Sequence, residues 1–151
     1  MAHLAEFFRE KKTKAERESA GVDWDQQRQE WLAALQDLYQ QVQQFLEQPI
    51  REGSARVENR QINITEAHLG EYATTELLLV VGDERVRFVP KGRNVLGAAG
   101  RVDVLGEAGE AMFVLEPGRQ WLVVRSKYPH LQLVPLTPES FEEALRAVMR
   151  P

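Results

Sequence analysis

The chain has 151 residues, 43% of them hydrophobic, and a formal net charge of −4, which together predict one domain of ordinary surface charge. It contains no cysteine, and this excludes a disulfide framework, thiolate metal ligands and a cysteine nucleophile. Its start has no apolar signal-peptide core, and no apolar run is long enough to cross a bilayer. We therefore expect a cytoplasmic protein with no membrane partner.

The first twenty residues are predicted to form a charged arm ahead of a single α+β domain that covers residues 21–151. Leu4, Phe7 and Phe8 make a small apolar spot, and the next ten residues are almost all charged. Because this segment has little to bury, one interpretation is a solvated arm. The alternative is a docking segment led by Phe7 and Phe8.

The segment from about residue 23 to residue 47 has the pattern of a long amphipathic helix. Its apolar residues recur at spacings typical of one helix face: Trp31, Leu35, Leu38, Val42 and Phe45. Asp23 or Asp25 can cap its start, and Pro49 ends it. The first interpretation is that the stripe packs on the chain's own sheet. The alternative is a homodimer through this N-terminal helix, which too few clean heptads make the weaker prediction.

The length of this helix also makes a prediction about its start. At 1.5 Å per residue it would span about 37 Å, whereas a six-residue strand spans about 20 Å. The helix should therefore overhang an ordinary sheet and leave Trp24 less covered. Trp24 is accordingly a candidate partner contact.

Residues 54–136 alternate between short apolar segments and glycine or proline turns. The predicted strands lie near residues 57–64, 74–81, 84–89, 101–105, 112–115, 120–125 and 131–136. Such close turns favour an antiparallel meander of six or seven strands. Thr137 and Pro138 then open a last helix. The predicted fold is α+β, with a long N-terminal helix and a C-terminal helix covering one face of the meander.

The stretch from Arg85 to Val102 carries five basic residues and no acid. These bases are Arg85, Arg87, Lys91, Arg93 and Arg101. Arg85 and Arg87 alternate with apolar residues, which places both guanidinium groups on one face of a strand. One interpretation is cross-strand ion pairing with neighbouring acids. The other is a binding surface in which Lys91, Arg93 and Arg101 meet an anionic group and Asp103 orients Arg101.

Signatures of catalysis and of cofactor binding are absent from the sequence. The three histidines are isolated, and the glycines between residues 92 and 100 precede a predicted strand, whereas a phosphate-binding loop precedes a helix. We predict no cofactor and no metal. A small enzyme that uses Asp103 with Glu66, Glu71 and Glu76 of the middle strands remains an alternative.

The leading functional hypothesis is a non-enzymatic accessory protein that acts through protein–protein contacts. Its candidate contacts are the basic run with Asp103, the Trp24 end of the long helix, and Phe7 and Phe8. The second hypothesis is nucleic-acid binding through residues 85–101, supported by the nearby Trp121, Arg125 and Lys127, although the chain is acidic overall. One uninterrupted basic patch would favour nucleic acid, whereas bases divided by acids would favour a protein partner.

Overall fold

The computed structural model describes residues 2–19, 23–93, 99–117 and 120–151. The predicted loop from residue 94 to 98 and the turn at residues 118 and 119 lie outside this description. The helices are α1 (Ala2–Ser19), α2 (Trp24–Phe45), α3 (Glu47–Glu52) and α4 (Pro138–Val148). The strands are β1 (Arg56–Glu66), β2 (Gly70–Val81), β3 (Glu84–Gly92), β4 (Gly100–Leu105), β5 (Glu110–Leu115), β6 (Trp121–Ser126) and β7 (Gln132–Pro135).

The seven strands form one antiparallel sheet in which every strand pairs with its neighbours in the sequence, from β1 to β7. The predicted turn between β2 and β3 is confirmed, and Gly82 adopts a φ of 62° there. Glycine reaches this left-handed conformation without the steric cost that a side chain adds. The α+β meander predicted from the sequence is therefore the observed fold.

The hydrophobic core lies between the sheet and two helices that cover the same face. The predicted stripe of α2 is buried, with Leu35, Leu38 and Val42 at most 1% exposed. From α4, Phe141 brings its ring centroid within 5.1 Å of Phe45 and 6.2 Å of Phe88. The stripe thus packs on the chain's own sheet, and a coiled coil through these residues would require the core to open.

The hairpin of β1 and β2 is longer than the sequence predicted. The two strands have 11 and 12 residues, and only residues 77–81 of β2 pair with β3. The free end of the hairpin reaches the start of α2, where Trp24 stacks on His68 with ring centroids 4.5 Å apart. The predicted overhang of Trp24 is therefore wrong, because the strands are about twice the assumed length, and Trp24 is half-buried.

The last helix begins as its sequence predicts. Pro138 lies in the first turn, and Thr137 and Ser140 form a reciprocal capping box. The Ser140 amide donates to the Thr137 side chain at 3.1 Å, and the Thr137 amide donates to the Ser140 side chain at 2.8 Å. Two otherwise unpaired amides are satisfied in this way. Of the helices in the described ranges, none is both long and apolar enough to cross a membrane.

Candidate interaction surface

The sheet face opposite α2 and α4, here called the outer face, carries the basic residues of β3. Val86 and Phe88 point into the core and are fully buried, whereas Arg85 and Arg87 are exposed. The predicted alternation along β3 is confirmed. Its physical origin is the two-residue period of a strand, which sends successive side chains to opposite faces.

Apolar side chains also lie on the outer face. Those on β4 to β7 are half-buried or exposed: Leu105, Met112, Val114, Leu122, Val124 and Leu133. On β2, Leu78 is only 5% exposed, although no helix covers it. Its register neighbour on β3 is Arg87. The aliphatic stem of an arginine can cover such a residue while its charged head stays in water.

Glu76 is the most deeply buried charged residue of the outer face, with 2% of its surface exposed. One carboxylate oxygen lies 2.8 Å from Nη2 of Arg87, and the other lies 3.4 Å from Nη1 of Arg60. A buried carboxylate is tolerated when cations pair with it. Glu76 therefore forms ion pairs with two arginines, one from β1 and one from β3.

Three arginines surround a shallow, open cavity of about 500 Å³ on this face. We call it the arginine notch: Arg60, Arg85 and Arg87 line it, together with the apolar Leu78 and Leu105. It draws on β1, β2, β3 and β4, so only the folded sheet assembles it. The site thus combines basic heads with an apolar floor.

Two acids lie at the arginine notch: Glu107 lines it, and Glu58 lies opposite Leu78 in the sheet register. Glu58 lies 3.2 Å from Arg56, and Glu107 lies 3.4 Å from Arg150, a cation that Glu107 shares with Asp83 and Glu84. Within the described part of the chain, Arg85 forms no ion pair with any carboxylate. The notch therefore contains one arginine, Arg85, that no described carboxylate pairs with, beside Glu107 and two arginines that share Glu76.

Arg101 and Asp103 form a two-pronged ion pair along β4. Nε and Nη2 of Arg101 lie 2.7 Å and 3.1 Å from the two carboxylate oxygens of Asp103. The hydrogen bond to Asp103 is the main cause that raises the pKa of the Arg101 guanidinium. Asp103 thus orients Arg101 as predicted, and both line a second outer-face cavity of about 210 Å³.

Lys91 and Arg93 lie at the far end of β3 and do not share a cavity with Arg101. Lys91 is exposed, and Arg93 lines a cavity beside Trp31 and Ala34 of α2. Arg101 lines the outer-face cavity described above. The sequence suggested that these three cations meet around one anionic group. In the structure Arg93 and Arg101 line different cavities, so they do not.

A buried polar chain joins the hairpin to α2. Nε1 of Trp31 donates to the hydroxyl of Tyr72 at 2.9 Å, and that hydroxyl donates to Oε2 of Glu66. The other oxygen of Glu66 accepts from the backbone amide of Arg93 at 2.7 Å. Burial, followed by the contact with Glu66, raises the pKa of Tyr72. These hydrogen bonds, which the sequence did not reveal, connect the hairpin to α2 and to the end of β3.

The acids of the enzyme hypothesis are engaged separately. Glu66 binds Tyr72, Glu76 binds two arginines, and Asp103 binds Arg101. In the described ranges no cluster of three or more ligand-type side chains is placed to hold a metal. Each of these three acids therefore has a different partner in the described part of the chain, and Glu71 is exposed.

Acids also divide the basic run. Arg87 pairs with Glu76 and Arg101 with Asp103, while farther along the chain Arg125 pairs with Glu143 of α4 at 3.0 Å. Arg87 reaches Glu76 diagonally, because its direct register neighbours are Leu78 and Leu105. The other two pairs form along one strand, for Arg101 and Asp103, and with α4, for Arg125 and Glu143. Acids therefore separate the bases of this run in the described part of the chain.

The arm, α1, is a helix whose described side chains, from residue 3 to 16, are all exposed. Phe7 is 50% exposed and Phe8 59% exposed. Nζ of Lys11 lies 5.6 Å from the ring centre of Phe7. The apolar spot predicted from the sequence therefore has no cover from the rest of the described chain.

Sequence reasoning missed Arg60 and Glu76 as members of the interaction surface. Glu76 did leave a signal, because it is a lone acid at the head of the apolar segment Leu77–Val81. Arg60 left none, since it sits among the polar residues of β1. Comparison with protein-family models, with curated proteins and with solved structures finds no match to this chain.

Proposed function

We propose that this chain is a non-enzymatic accessory protein of the cytoplasm that binds other proteins through the outer face of its sheet. The observation that carries the proposal is the composition of that face. Half-exposed apolar residues on β4 to β7 lie beside the arginine notch, and α2 and α4 both cover the opposite face. Arginine beside apolar surface is the composition that protein interfaces favour.

The charge pattern supports a protein partner over nucleic acid. A phosphate backbone needs a continuous basic surface, and here Glu76, Asp103 and Glu110 lie among the bases. The candidate stacking aromatic, Trp121, is buried and donates its indole N–H to the carbonyl of Ala34 at 3.0 Å. It offers no exposed ring on which a base could stack.

The arm supplies a second proposed contact. Phe7 and Phe8 project from an exposed helix with ring centroids 5.9 Å apart, and aromatic residues are enriched at interfaces. Lys91 and Arg93, at the C-terminal end of β3, remain proposed contacts. Trp24 contributes less, because its ring already stacks on His68.

Site-specific photo-crosslinking in cell extract tests the proposal. A photoreactive residue is placed at Leu122, on the outer face, and at Gln40, an exposed position of α2 that serves as the matched control. We expect a discrete protein adduct from position 122 only. Excess wild-type protein should compete it away, and the outer-face variant Leu133→Glu should compete poorly. Equal adducts from both positions, or an adduct that nuclease removes, would contradict the proposal.

A further inference from the structure

This inference rests on the proposed function and names the chemistry of the partner. We propose that the arginine notch binds an extended acidic segment of the partner protein in which a carboxylate and an apolar side chain stand two residues apart. The carboxylate binds Arg85 and Arg87, and the apolar side chain two residues along, on the same face of the peptide, packs against Leu105. The following observations carry this assignment.

The first observation is the charge balance of the notch. Arg60 and Arg87 share a single carboxylate, that of Glu76, and Arg85 has no carboxylate partner among the described residues. Arg85 and Arg87 are two residues apart on one strand face, and both line the notch. A guanidinium group binds a carboxylate through two parallel hydrogen bonds. The notch therefore offers unoccupied donors to an incoming acid.

The second observation is that a buried carboxylate pairs with two of the notch arginines before binding. Glu76 is almost completely buried and holds Arg87 at 2.8 Å and Arg60 at 3.4 Å. A free arginine loses side-chain freedom when it binds, and that loss weakens the complex. Because Glu76 restrains two of the three arginines in the free protein, the partner meets donors that are already placed.

The third observation separates a short acidic segment from a longer polyanion. Glu58, Glu107 and Glu110 border the notch or the strands beside it. An extended phosphate backbone brings a charge about every 3.4 Å of strand and would face these acids repeatedly. Residues two apart in an extended peptide share one face, so a peptide can present one carboxylate to the arginines and an apolar side chain two residues along to Leu105.

Fluorescence anisotropy with three labelled probes tests the inference. The probes are a short peptide in which glutamate and leucine alternate at every second position with serine between them, its counterpart with lysine in place of glutamate, and a single-stranded oligonucleotide. We expect wild-type protein to bind the acidic peptide most tightly, with affinity that falls as salt increases. Arg85→Gln should raise the dissociation constant about tenfold, and Arg85→Lys should raise it less, because it keeps the charge and loses the fork.

Arg146→Gln is the matched control, because Arg146 is an exposed arginine of α4 that does not line the notch and is paired with Glu142 at 2.9 Å. It should leave the affinity unchanged, and thermal melts should show that each variant is folded. No binding of the acidic peptide by wild-type protein, or equal losses in Arg85→Gln and Arg146→Gln, would overturn the inference. Tighter binding of the oligonucleotide through the same arginines would overturn it in favour of nucleic acid. A crosslink at position 122 that persists without peptide binding would remove this partner chemistry and leave the proposed function standing.

Discussion

The indole nitrogen of Trp31 donates a hydrogen bond to the hydroxyl of Tyr72 at 2.9 Å, across 41 positions of sequence. Tyr72 passes the chain on to Glu66, which also accepts the amide of Arg93. These hydrogen bonds therefore connect three elements: α2, the β1–β2 hairpin and the end of β3. A buried polar chain of this kind is stabilising only while each member keeps its partner.

Replacing Tyr72 with phenylalanine should weaken the fold at this point. Tyr72→Phe removes the hydrogen-bond acceptor of the Trp31 N–H and the phenol that donates to Glu66, and we expect a loss of about 1–3 kcal/mol in the free energy of unfolding. Urea denaturation measures it. Tyr128→Phe is the control, since Tyr128 is 86% exposed, and should change stability by less than about 0.5 kcal/mol. Equal losses in the two variants would contradict the assignment.

Stability should fall at alkaline pH because of two buried tyrosines. Burial is the main cause that raises the pKa of both Tyr39 and Tyr72 above the ordinary value of 10.0. Below pH 10 each phenol is protonated in the folded and the unfolded state, so neither contributes a slope. Above pH 10 the unfolded chain releases these protons first, and the free energy of unfolding then falls by up to about 1.4 kcal/mol per pH unit for each tyrosine.

Denaturant melts from pH 9 to 11.5 check this dependence. The double variant Tyr39→Phe with Tyr72→Phe should show a much flatter decline, whatever its stability at neutral pH. Tyr128→Phe should retain the wild-type slope. The same slope in all three proteins would show that the two buried phenols are not responsible.

The core contribution of α2 can be measured at Leu38. Leu38→Ala removes a side chain that is 0% exposed and should cost about 2–5 kcal/mol, the range for a large-to-small change in a packed core. Gln40→Ala, on the exposed side of the same helix, controls for helix propensity. A loss below about 0.5 kcal/mol for Leu38→Ala would mean that the stripe is not packed, and would revive a dimer through α2.

The buried carboxylate of Glu76 predicts a rescue. Arg60→Ala with Arg87→Ala leaves Glu76 without either cation and should cost about 1–3 kcal/mol. Adding Glu76→Leu removes the uncompensated charge and should recover at least half of that loss, because replacing all members of a buried ion pair is often neutral. Urea melts of the three proteins test it. A further loss in the triple variant would show that Glu76 stabilises the sheet independently of its arginines.

The close approach of α4 to the β4–β5 turn predicts unequal effects at two glycines. A Cβ added at Gly106 would lie 2.3 Å from the carbonyl oxygen of Val148, whereas one at Gly109 would lie 3.2 Å from that of Ala147. Gly106→Ala should therefore cost about 1–3 kcal/mol, and Gly109→Ala clearly less. Thermal melts of both variants compare them. Equal losses of stability would mean that α4 shifts enough to accommodate the added methyl group at both positions.

Local periodicity accounts for the parts of the fold that were predicted correctly. The spacing of Trp31, Leu35 and Leu38 indicated a helix, and the alternation around Arg85 and Arg87 indicated a strand with one basic face. Both were observed, because each pattern depends on residues a few positions apart. The long hairpin was underestimated, since the middle of β1 is polar on both faces and carries no apolar alternation.

The candidate surface was only half predictable for the same reason. Arg85, Arg87, Arg101 and Asp103 could be named from the sequence, together with the orientation of Arg101 by Asp103, because that pair lies on one strand. Arg60 and Glu76 meet only because the register of β1 with β2 places them opposite each other, and Arg87 reaches Glu76 across a second strand boundary. Composition and spacing thus determined the α+β class, the faces of the strands and the lack of cysteine chemistry. Only the tertiary structure decided which charges pair and which arginine of the notch has no described carboxylate partner, because register and twist bring together side chains whose distance along the chain carries no periodic signal.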